Sequence, residues 1–200
     1  MSEVIKIANC SGFYGDNLSI AKKMVEGGPI DVLTGDYLAE LTMTILYNQK
    51  MKRGENLGYV GTFLKQFRDV AKLCDDQKIK IVSNAGGLNP ASMAAEVENI
   101  IKELNLDLKV AYIDGDDLMP RLDELSSSGE KLKNIDKNND LFSYEKKPLT
   151  ANAYLGAWGI KEALDNGADV VICPRVTDAA VVIGPAAWKF NWSRNDYDQL

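Results

Sequence analysis

Residues that could do chemistry follow each of five short apolar segments of the sequence. These groups are Asn9-Cys10-Ser11-Gly12, Thr34-Gly35-Asp36, Ser83-Asn84-Ala85-Gly86-Gly87-Leu88-Asn89, Asp114-Gly115-Asp116-Asp117 and Cys173-Pro174-Arg175-Val176-Thr177-Asp178. The 200 residues include no histidine. Within this chain that excludes a Ser-His-Asp triad, a Cys-His pair and a histidine-ligated zinc. Acid or base chemistry therefore needs a carboxylate, lysine, tyrosine or cysteine.

Two aspartates are the candidate catalytic residues, Asp36 and Asp178. Asp36 follows a glycine at the end of an apolar segment and could transfer a proton or bind a ligand hydroxyl. Its alternative role is to cap the next helix. Arg175 is the only cation in the five groups, and its guanidinium is suited to a carboxylate or phosphate. The alternative for Arg175 is an ion pair with Asp178 or another loop aspartate.

Glycine and amide side chains in the same groups are the candidate ligand-binding residues. They are Asn9, Ser11, Gly12, Asn84, Gly86, Gly87 and Asn89, together with Arg175 and Thr177. The third group lacks the GxGxxG spacing and the P-loop lysine, so neither a dinucleotide fingerprint nor an NTPase loop is indicated. It could still bind an anion where it enters a helix. Each group alone also fits an ordinary turn or helix cap.

Several other residues leave alternatives open. Cys10 could be a nucleophile, but with no histidine to activate it a buried structural thiol is favoured. Asp114, Asp116 and Asp117 could hold Mg²⁺, or Asp116 and Asp117 could cap a short helix; we predict a site without a metal. Tyr14, Tyr154 and Trp158 are expected to be packing residues, although Tyr14 could line a pocket.

The elements that position these residues alternate between strand and helix. Predicted strands cover 4–8, 30–33, 79–82, 108–113 and 170–173, and each is short and apolar. Helices are predicted from a cap at Asp16, over 37–49 and 63–75, after Asn89-Pro90, and over 152–165. A helix over 178–188 is expected to be interrupted at Gly184-Pro185. We expect a three-layer, Rossmann-like α/β fold with a mainly parallel sheet and helices on both faces.

A parallel sheet would bring all five groups to one edge, because its strands end on the same side and ligands bind beyond those ends. We therefore predict one site formed by Asn9, Asp36, Asn84, Asp114 and Arg175. Residues 126–148 are polar and rich in asparagine and lysine, and we expect an exposed insertion there. Residues 1–200 otherwise form one predicted domain.

Composition narrows the class of protein. The net charge is −6 and the lysines and arginines are scattered, so no nucleic-acid partner is expected. No apolar run approaches the roughly 18 residues of a membrane span. Three widely spaced cysteines without a CxxC fit reduced thiols, and we expect a cytoplasmic protein.

The motifs taken together resemble one family. "ANCSGFYGD", "DVLTGDYLAELTM", "GYVGTFLKQF", "SNAGGLNP", "TANAYLGAW" and "PRVTDAAVVIGPAAW" occur in this order. The chain is similar in them to the N-terminal part of the acyclic terpene utilization (AtuA-like) family. The matching polar positions are Asn9, Ser11, Gly12, Gly15, Asp16, Thr34, Gly35, Asp36, Asn84, Gly86, Gly87, Asn89, Arg175, Thr177 and Asp178. Family members tend to have glycine where this chain has Pro174, whose backbone cannot donate a hydrogen bond.

The resemblance implies a context rather than a reaction. Such proteins are associated with breakdown of acyclic terpenoids such as citronellol and geraniol, through branched acyl-CoA thioesters. We therefore expect an enzyme domain acting on a branched acyl-CoA or related acid; CoA would be part of the substrate, and the cofactor is unknown. The alternative is a non-catalytic acyl-CoA-binding subunit of a partner such as a carboxylase. Family members are longer, so the chain is expected to be the N-terminal portion of a longer domain. It is also expected to form a homo-oligomer or to associate with another catabolic enzyme.

Overall fold

A computed structural model describes residues 4–200. The strands are β1 (Ile7–Asn9), β2 (Val32–Gly35), β3 (Lys80–Ser83), β4 (Val110–Tyr112) and β5 (Val170–Ile172). The helices are α1 (Ile20–Glu26), α2 (Glu40–Arg53), α3 (Gly61–Gln77), α4 (Pro90–Glu103), α5 (Leu122–Ser127), α6 (Trp158–Asp165) and α7 (Ala180–Lys189). Two 3-10 turns cover Met119–Arg121 and Leu141–Ser143.

The five strands form one sheet in the order β1-β2-β3-β5-β4, and every adjacent pair is parallel. In register, Ile81 of β3 lies beside Val170 of β5, and Val110 of β4 lies beside the same Val170 from the other side. Strand β5, which lies between β3 and β4, is buried along its whole length. The prediction of a three-layer α/β fold with a parallel sheet is confirmed.

Alternate residues of the strands point into two separate cores, as the two-residue period of a strand requires. Leu33, Ile81 and Ile172 join a cluster with helices α1, α3 and α4. Val32, Val82 and Val171 join a second cluster with α6 and α7. The sheet is therefore covered by helices on both faces. Each fully buried aliphatic side chain contributes about 1.5–3 kcal/mol to folding.

The helices that follow the neighbouring strands β3 and β5 pack on opposite faces of the sheet. The chain leaves β3 for α4, whose apolar residues belong to the first core. It leaves β5 for α7, whose apolar residues belong to the second. A point where connections diverge in this way opens a crevice at the carboxyl ends of the strands, where ligands bind in open α/β sheets. By this topology the loops beginning at Asn84 and at Cys173 are the expected walls of such a crevice.

Two predicted helix starts, those of α1 and α6, are corrected. Asp16 does not cap α1; its carboxylate accepts hydrogen bonds from the amides of Gly12 (2.6 Å) and Phe13 (3.2 Å), and α1 begins at Ile20. Helix α6 begins at Trp158 rather than near Asn152. Residues 152–156 run extended instead, because the amides of Ala153 and Leu155 bond to the carbonyls of Asp116 and Arg175.

Helix α7 is continuous, so the predicted interruption at Gly184-Pro185 is wrong. Pro185 lies inside the helix. Five residues of α7 are buried, and Gly184 and Pro185 are two of them. A methyl group at Gly184 would lie 2.5 Å from Cγ2 of Ile160. The close packing of α7 on α6 therefore needs glycine here, and the apolar burial outweighs the helix hydrogen bond that proline cannot donate.

Residues 126–148 contain the end of α5, one 3-10 turn and otherwise irregular chain, and most of their side chains are exposed. Ile135 at the tip is 98% exposed. Cys10, Cys74 and Cys173 are all free and buried. Among residues 4–200, no helix combines the length and apolar character that crossing a membrane would need.

Candidate functional site at the carboxyl edge of the sheet

Asp36 lies directly after β2 with one carboxylate oxygen bonded and the other free. Oδ1 accepts from Nδ2 of Asn84 at 2.5 Å and, more weakly, from the amide of Leu38 at 3.4 Å. Within residues 4–200, Oδ2 has no hydrogen-bond partner. Helix α2 starts four residues later with no side-chain cap, so the alternative in which Asp36 caps this helix does not hold.

The surroundings of Asp36 favour its protonated form. Burial raises the pKa of its carboxyl, and the negative charge of Asp178 raises it further. The Asn84 hydrogen bond and the Arg175 charge act in the opposite direction without cancelling the pKa rise. A carboxyl group with a raised pKa and an unbonded oxygen is suited to accept and return a proton.

Arg175 lies after β5 and is 5% exposed. Its Nη1 donates to the carbonyl of Leu38, and its Nη2 donates to the hydroxyl of Tyr154 at 2.8 Å. The guanidinium also stacks on the Tyr154 ring, 4.2 Å from the ring centre. Of the carboxylates in residues 4–200, only that of Glu40 lies within ion-pair distance, at 3.6 Å. The predicted alternative, an ion pair with Asp178, is not formed.

Asp116 fixes the loop that carries Arg175. Its Oδ2 accepts from the backbone amide of Arg175 (3.2 Å) and from Nδ2 of Asn152 (2.8 Å). Asp116 is 5% exposed, and burial raises the pKa of its carboxyl. Because Pro174 cannot donate, Arg175 supplies the first backbone donor of this loop after Cys173, and Asp116 occupies it.

Asp114 and Asp117 do not join Asp116 in a cluster. Asp117 accepts from the amide of Met119, the first residue of the 3-10 turn, at 2.9 Å, and Asp114 is exposed. In the part of the chain that the structure describes, no group of three or more Asp, Glu, Cys or His side chains could hold a metal ion.

The loop after β1 is held by its own side chains. Nδ2 of Asn9 donates to the carbonyl of Ser11 (2.9 Å), and Oδ1 of Asn9 accepts from the hydroxyl of Thr34 (3.2 Å). Ser11 is buried and donates to the carbonyl of Phe13, while the amide of Gly12 donates to Asp16. The Gly12 and Phe13 hydrogen bonds hold the pKa of Asp16 below its usual range.

The loop after β3 has its backbone donors engaged within the chain. Asn84 donates its amide to Gly35, Gly86 to Cys173, and Gly87 to Asn84. Oδ1 of Asn84 accepts from the amide of Tyr37 at 2.8 Å. Asn89 caps α4 by accepting from the amide of Ser92, with Pro90 in the first turn. In this conformation the loop offers no cradle of free amides, and the fully buried Asn84 uses its side chain to hold Tyr37 and Asp36 in place.

Thr177 and Asp178 are exposed, and neither side chain forms a hydrogen bond within residues 4–200. Both are therefore free to contact a ligand. The charge of Asp178 acts on Asp36, which places the two candidate catalytic carboxylates in one electrostatic environment.

Cys10 is a structural thiol rather than an accessible nucleophile. It is 4% exposed and its Sγ lies 3.8 Å from the hydroxyl of Tyr37, which donates to Gln66 at 2.6 Å. Burial raises the pKa of the Cys10 thiol, so the reactive thiolate is disfavoured.

The structure brings Asp36, Asn84, Arg175, Thr177 and Asp178 to the crevice between β3 and β5 and beside it. Asn9, Ser11 and Gly12 lie at the same edge after β1, and Asp114 lies after β4, at the far end of the sheet. Sequence reasoning missed Glu40 and took Tyr154 for a packing residue. Tyr154 is half exposed and contacts Arg175. Its position in a predicted helix concealed that contact.

Comparison with known proteins identifies the family. The family model described as acyclic terpene utilisation family protein AtuA matches residues 5–200. The chain therefore belongs to this family, which implies a role in acyclic terpene utilisation. No curated protein and no solved structure matches the chain.

Proposed function

We propose that the chain is an enzyme domain that acts on a branched acyl-CoA or a related branched acid in acyclic terpene utilisation. The observation that carries the proposal is Asp36. It presents an unbonded carboxylate oxygen and a raised pKa at the carboxyl end of β2, beside the switch point between β3 and β5 and near the buried cation of Arg175. The proposal places the ligand beyond the carboxyl ends of β2, β3 and β5.

In this proposal Asp36 accepts a proton from the ligand and returns it. Asn84 orients the carboxyl by donating to Oδ1, which leaves Oδ2 directed at the reacting group. Asp178 raises the pKa of Asp36 and is itself exposed to solvent. Arg175 supplies positive charge for an anionic group, and Thr177 contributes a hydroxyl. Coenzyme A enters as the thioester part of the substrate. The proposal also includes association of the chain with a second copy of itself or with another catabolic enzyme.

A second candidate is a non-catalytic acyl-CoA-binding subunit or accessory protein of a partner enzyme. The internal satisfaction of the loop amides favours it, because Gly86 and Gly87 are engaged and cannot stabilise an oxyanion in this conformation. A binding subunit would need the crevice and Arg175 but no proton-transfer group.

Ligand binding followed by turnover separates the two candidates. Thermal shift with methylcrotonyl-CoA, coenzyme A and methylcrotonate tests binding; a ligand at 100 times its dissociation constant adds about 2.7 kcal/mol to stability. For an enzyme, Asp36→Asn should keep the shift and lose at least about 100-fold in turnover. Asp114→Asn, an exposed carboxylate at the same edge, should change neither. Binding with no turnover in any acyl-CoA tested would favour the binding subunit, and no binding at all would contradict both.

A further inference from the structure

The environment of Arg175 is unusual for a buried arginine. The guanidinium is buried, yet only two of its five N–H groups make hydrogen bonds within residues 4–200, to Leu38 and to Tyr154. A buried charge is costly unless a counter-charge balances it. Glu40, at 3.6 Å, is the counter-charge, and this separation is longer than a direct hydrogen bond.

Glu40 approaches from the solvent side. Its side chain is 82% exposed, against 6% for that of Arg175. Tyr154 connects the two, because its hydroxyl accepts from Arg175 and donates to Glu40. The pKa of Glu40 lies below its usual range mainly because its carboxylate accepts a hydrogen bond from Tyr154. A hydrogen bond from the backbone amide of Glu40 lowers this pKa further. The carboxylate therefore stays charged and supplies the counter-charge of the guanidinium from the solvent side.

The position of this carboxylate is also favourable for a foreign anion. Glu40 is the first residue of α2, a helix of 14 residues whose start has no side-chain cap. The free amides of a first helical turn attract negative charge. Three independent groups thus point to one place: the guanidinium, the Tyr154 hydroxyl and the start of α2.

We propose that Glu40 is an internal occupant of an anion site, and that the anionic group of the ligand displaces it to bind Arg175 and Tyr154. This inference rests on the proposed function and names how its site takes the ligand. Displacement is feasible because the Glu40 side chain is 82% exposed and can rotate into solvent, while the arriving anion replaces the counter-charge that buried Arg175 would otherwise lose. The arriving group is a carboxylate or a phosphate that presents two of its oxygens to the guanidinium, which matches the planar pair of arginine donors.

The test is an NMR titration of the intact chain with two simple probes, methylcrotonate and inorganic phosphate, followed at the amides of Leu38, Glu40 and Tyr154. Glu40→Gln should tighten probe binding about two- to five-fold, because the variant removes the carboxylate that competes with the probe for Arg175. Arg175→Lys, which keeps the charge but not the fork of donors, should weaken it at least about ten-fold. Tightening for methylcrotonate alone assigns the site to a free acid, and tightening for phosphate alone to the phosphates of CoA.

The matched control is Glu55→Gln. The Glu55 side chain is 81% exposed and lies 3.5 Å from Lys50, so it loses the same charge from a similar pair away from Arg175. Equal tightening in both variants would reduce the effect to net charge and overturn the inference. Unchanged or weaker binding in Glu40→Gln, or no response at these amides in any variant, would also overturn it. Tightened anion binding without acyl-CoA turnover would instead leave the inference standing and contradict the enzyme proposal.

Discussion

At the scale of residues, Asp36 carries a charge that the fold does not favour. Burial and the neighbouring Asp178 disfavour its carboxylate, while Asn84 and Arg175 compensate only in part. Groups whose pKa is displaced by their surroundings concentrate at functional sites, because the displacement serves chemistry rather than stability. The sign of the displacement has a consequence for how stability depends on pH.

The substitution Asp36→Asn should raise the melting temperature at pH 8, on the order of 1 °C, since the half exposure of the group screens the effect. The folded pKa lies above the unfolded value of about 3.9, so the folded state binds more protons between these values. Stability is therefore lost as pH rises through this window, and the loss persists above it. Melting scans from pH 4 to 8 should show the advantage of the variant shrink towards pH 4.

A lower melting temperature for Asp36→Asn at pH 8 would contradict this, and would show that the charged form is favoured by its hydrogen bonds. Asp114→Asn serves as the control, since Asp114 is exposed and makes no side-chain hydrogen bond within residues 4–200.

The residue types of the site could be predicted from the sequence, but their partners could not. Small polar groups after apolar segments pointed to Asp36, Asn84 and Arg175 without any structure. Of the partners of Arg175, Leu38 and Glu40 lie more than a hundred positions away in the chain, and Tyr154 lies 21 positions away in a segment predicted as helix. Local patterns contain no information on contacts between residues separated by more than a hundred positions.

At the scale of elements, Gly86 joins the two strands that flank the crevice. Its amide donates to the carbonyl of Cys173 at 3.0 Å, which links the loop after β3 to the end of β5. A methyl group at this position would lie 2.6 Å from that carbonyl oxygen and 2.8 Å from Cβ of Pro90. Backbone and a ring on either side leave no room for a side chain, so glycine here is required by the close approach.

The substitution Gly86→Ala should destabilise the protein by about 1–3 kcal/mol, because the added methyl overpacks rigid backbone. Gly61→Ala is the matched control: Gly61 begins α3 and has open space around its Cα, so alanine should stabilise by about 0.4–1 kcal/mol. Urea unfolding measures both. Equal stability of Gly86→Ala and the wild type would show that the loop is not packed as the structure has it.

Strands and long helices could be predicted from apolar periodicity, and their ends differ from the prediction by only a few residues. The exceptions have a common cause, which is competition from distant groups. Residues 152–156 form backbone hydrogen bonds to the loops at Asp116 and Arg175 rather than continuing a helix. Helix α7 passes through Pro185 because its apolar face is buried against α6.

At the scale of the whole molecule, the parallel sheet is what brings the polar groups to one edge. The strand order could not be predicted, because it depends on which faces the helices cover and not on any single segment. All strands are parallel, but the order in which they follow one another along the chain reverses between β3 and β5. The loops after these two strands therefore become the walls of the crevice.

The insertion at 126–148 should exchange its amide protons fast and be cut first by protease. Most of its side chains are exposed, so little apolar burial offsets the entropy lost on ordering it. Limited proteolysis with mass spectrometry would locate the first cuts. Protection of 130–140 comparable to that of β3 would show that this segment is a stable part of the fold.

The central claim is that the ligand binds at the crevice between β3 and β5, and hydrogen–deuterium exchange with and without methylcrotonyl-CoA tests it most directly. The account predicts slower exchange on binding in 36–42, 84–88, 152–156 and 174–179, where Asp36, Asn84, Tyr154 and Arg175 lie. Exchange in α3 and at the amino ends of the strands should stay unchanged. Slower exchange confined to other segments, with these four unaffected at saturating ligand, would contradict the account.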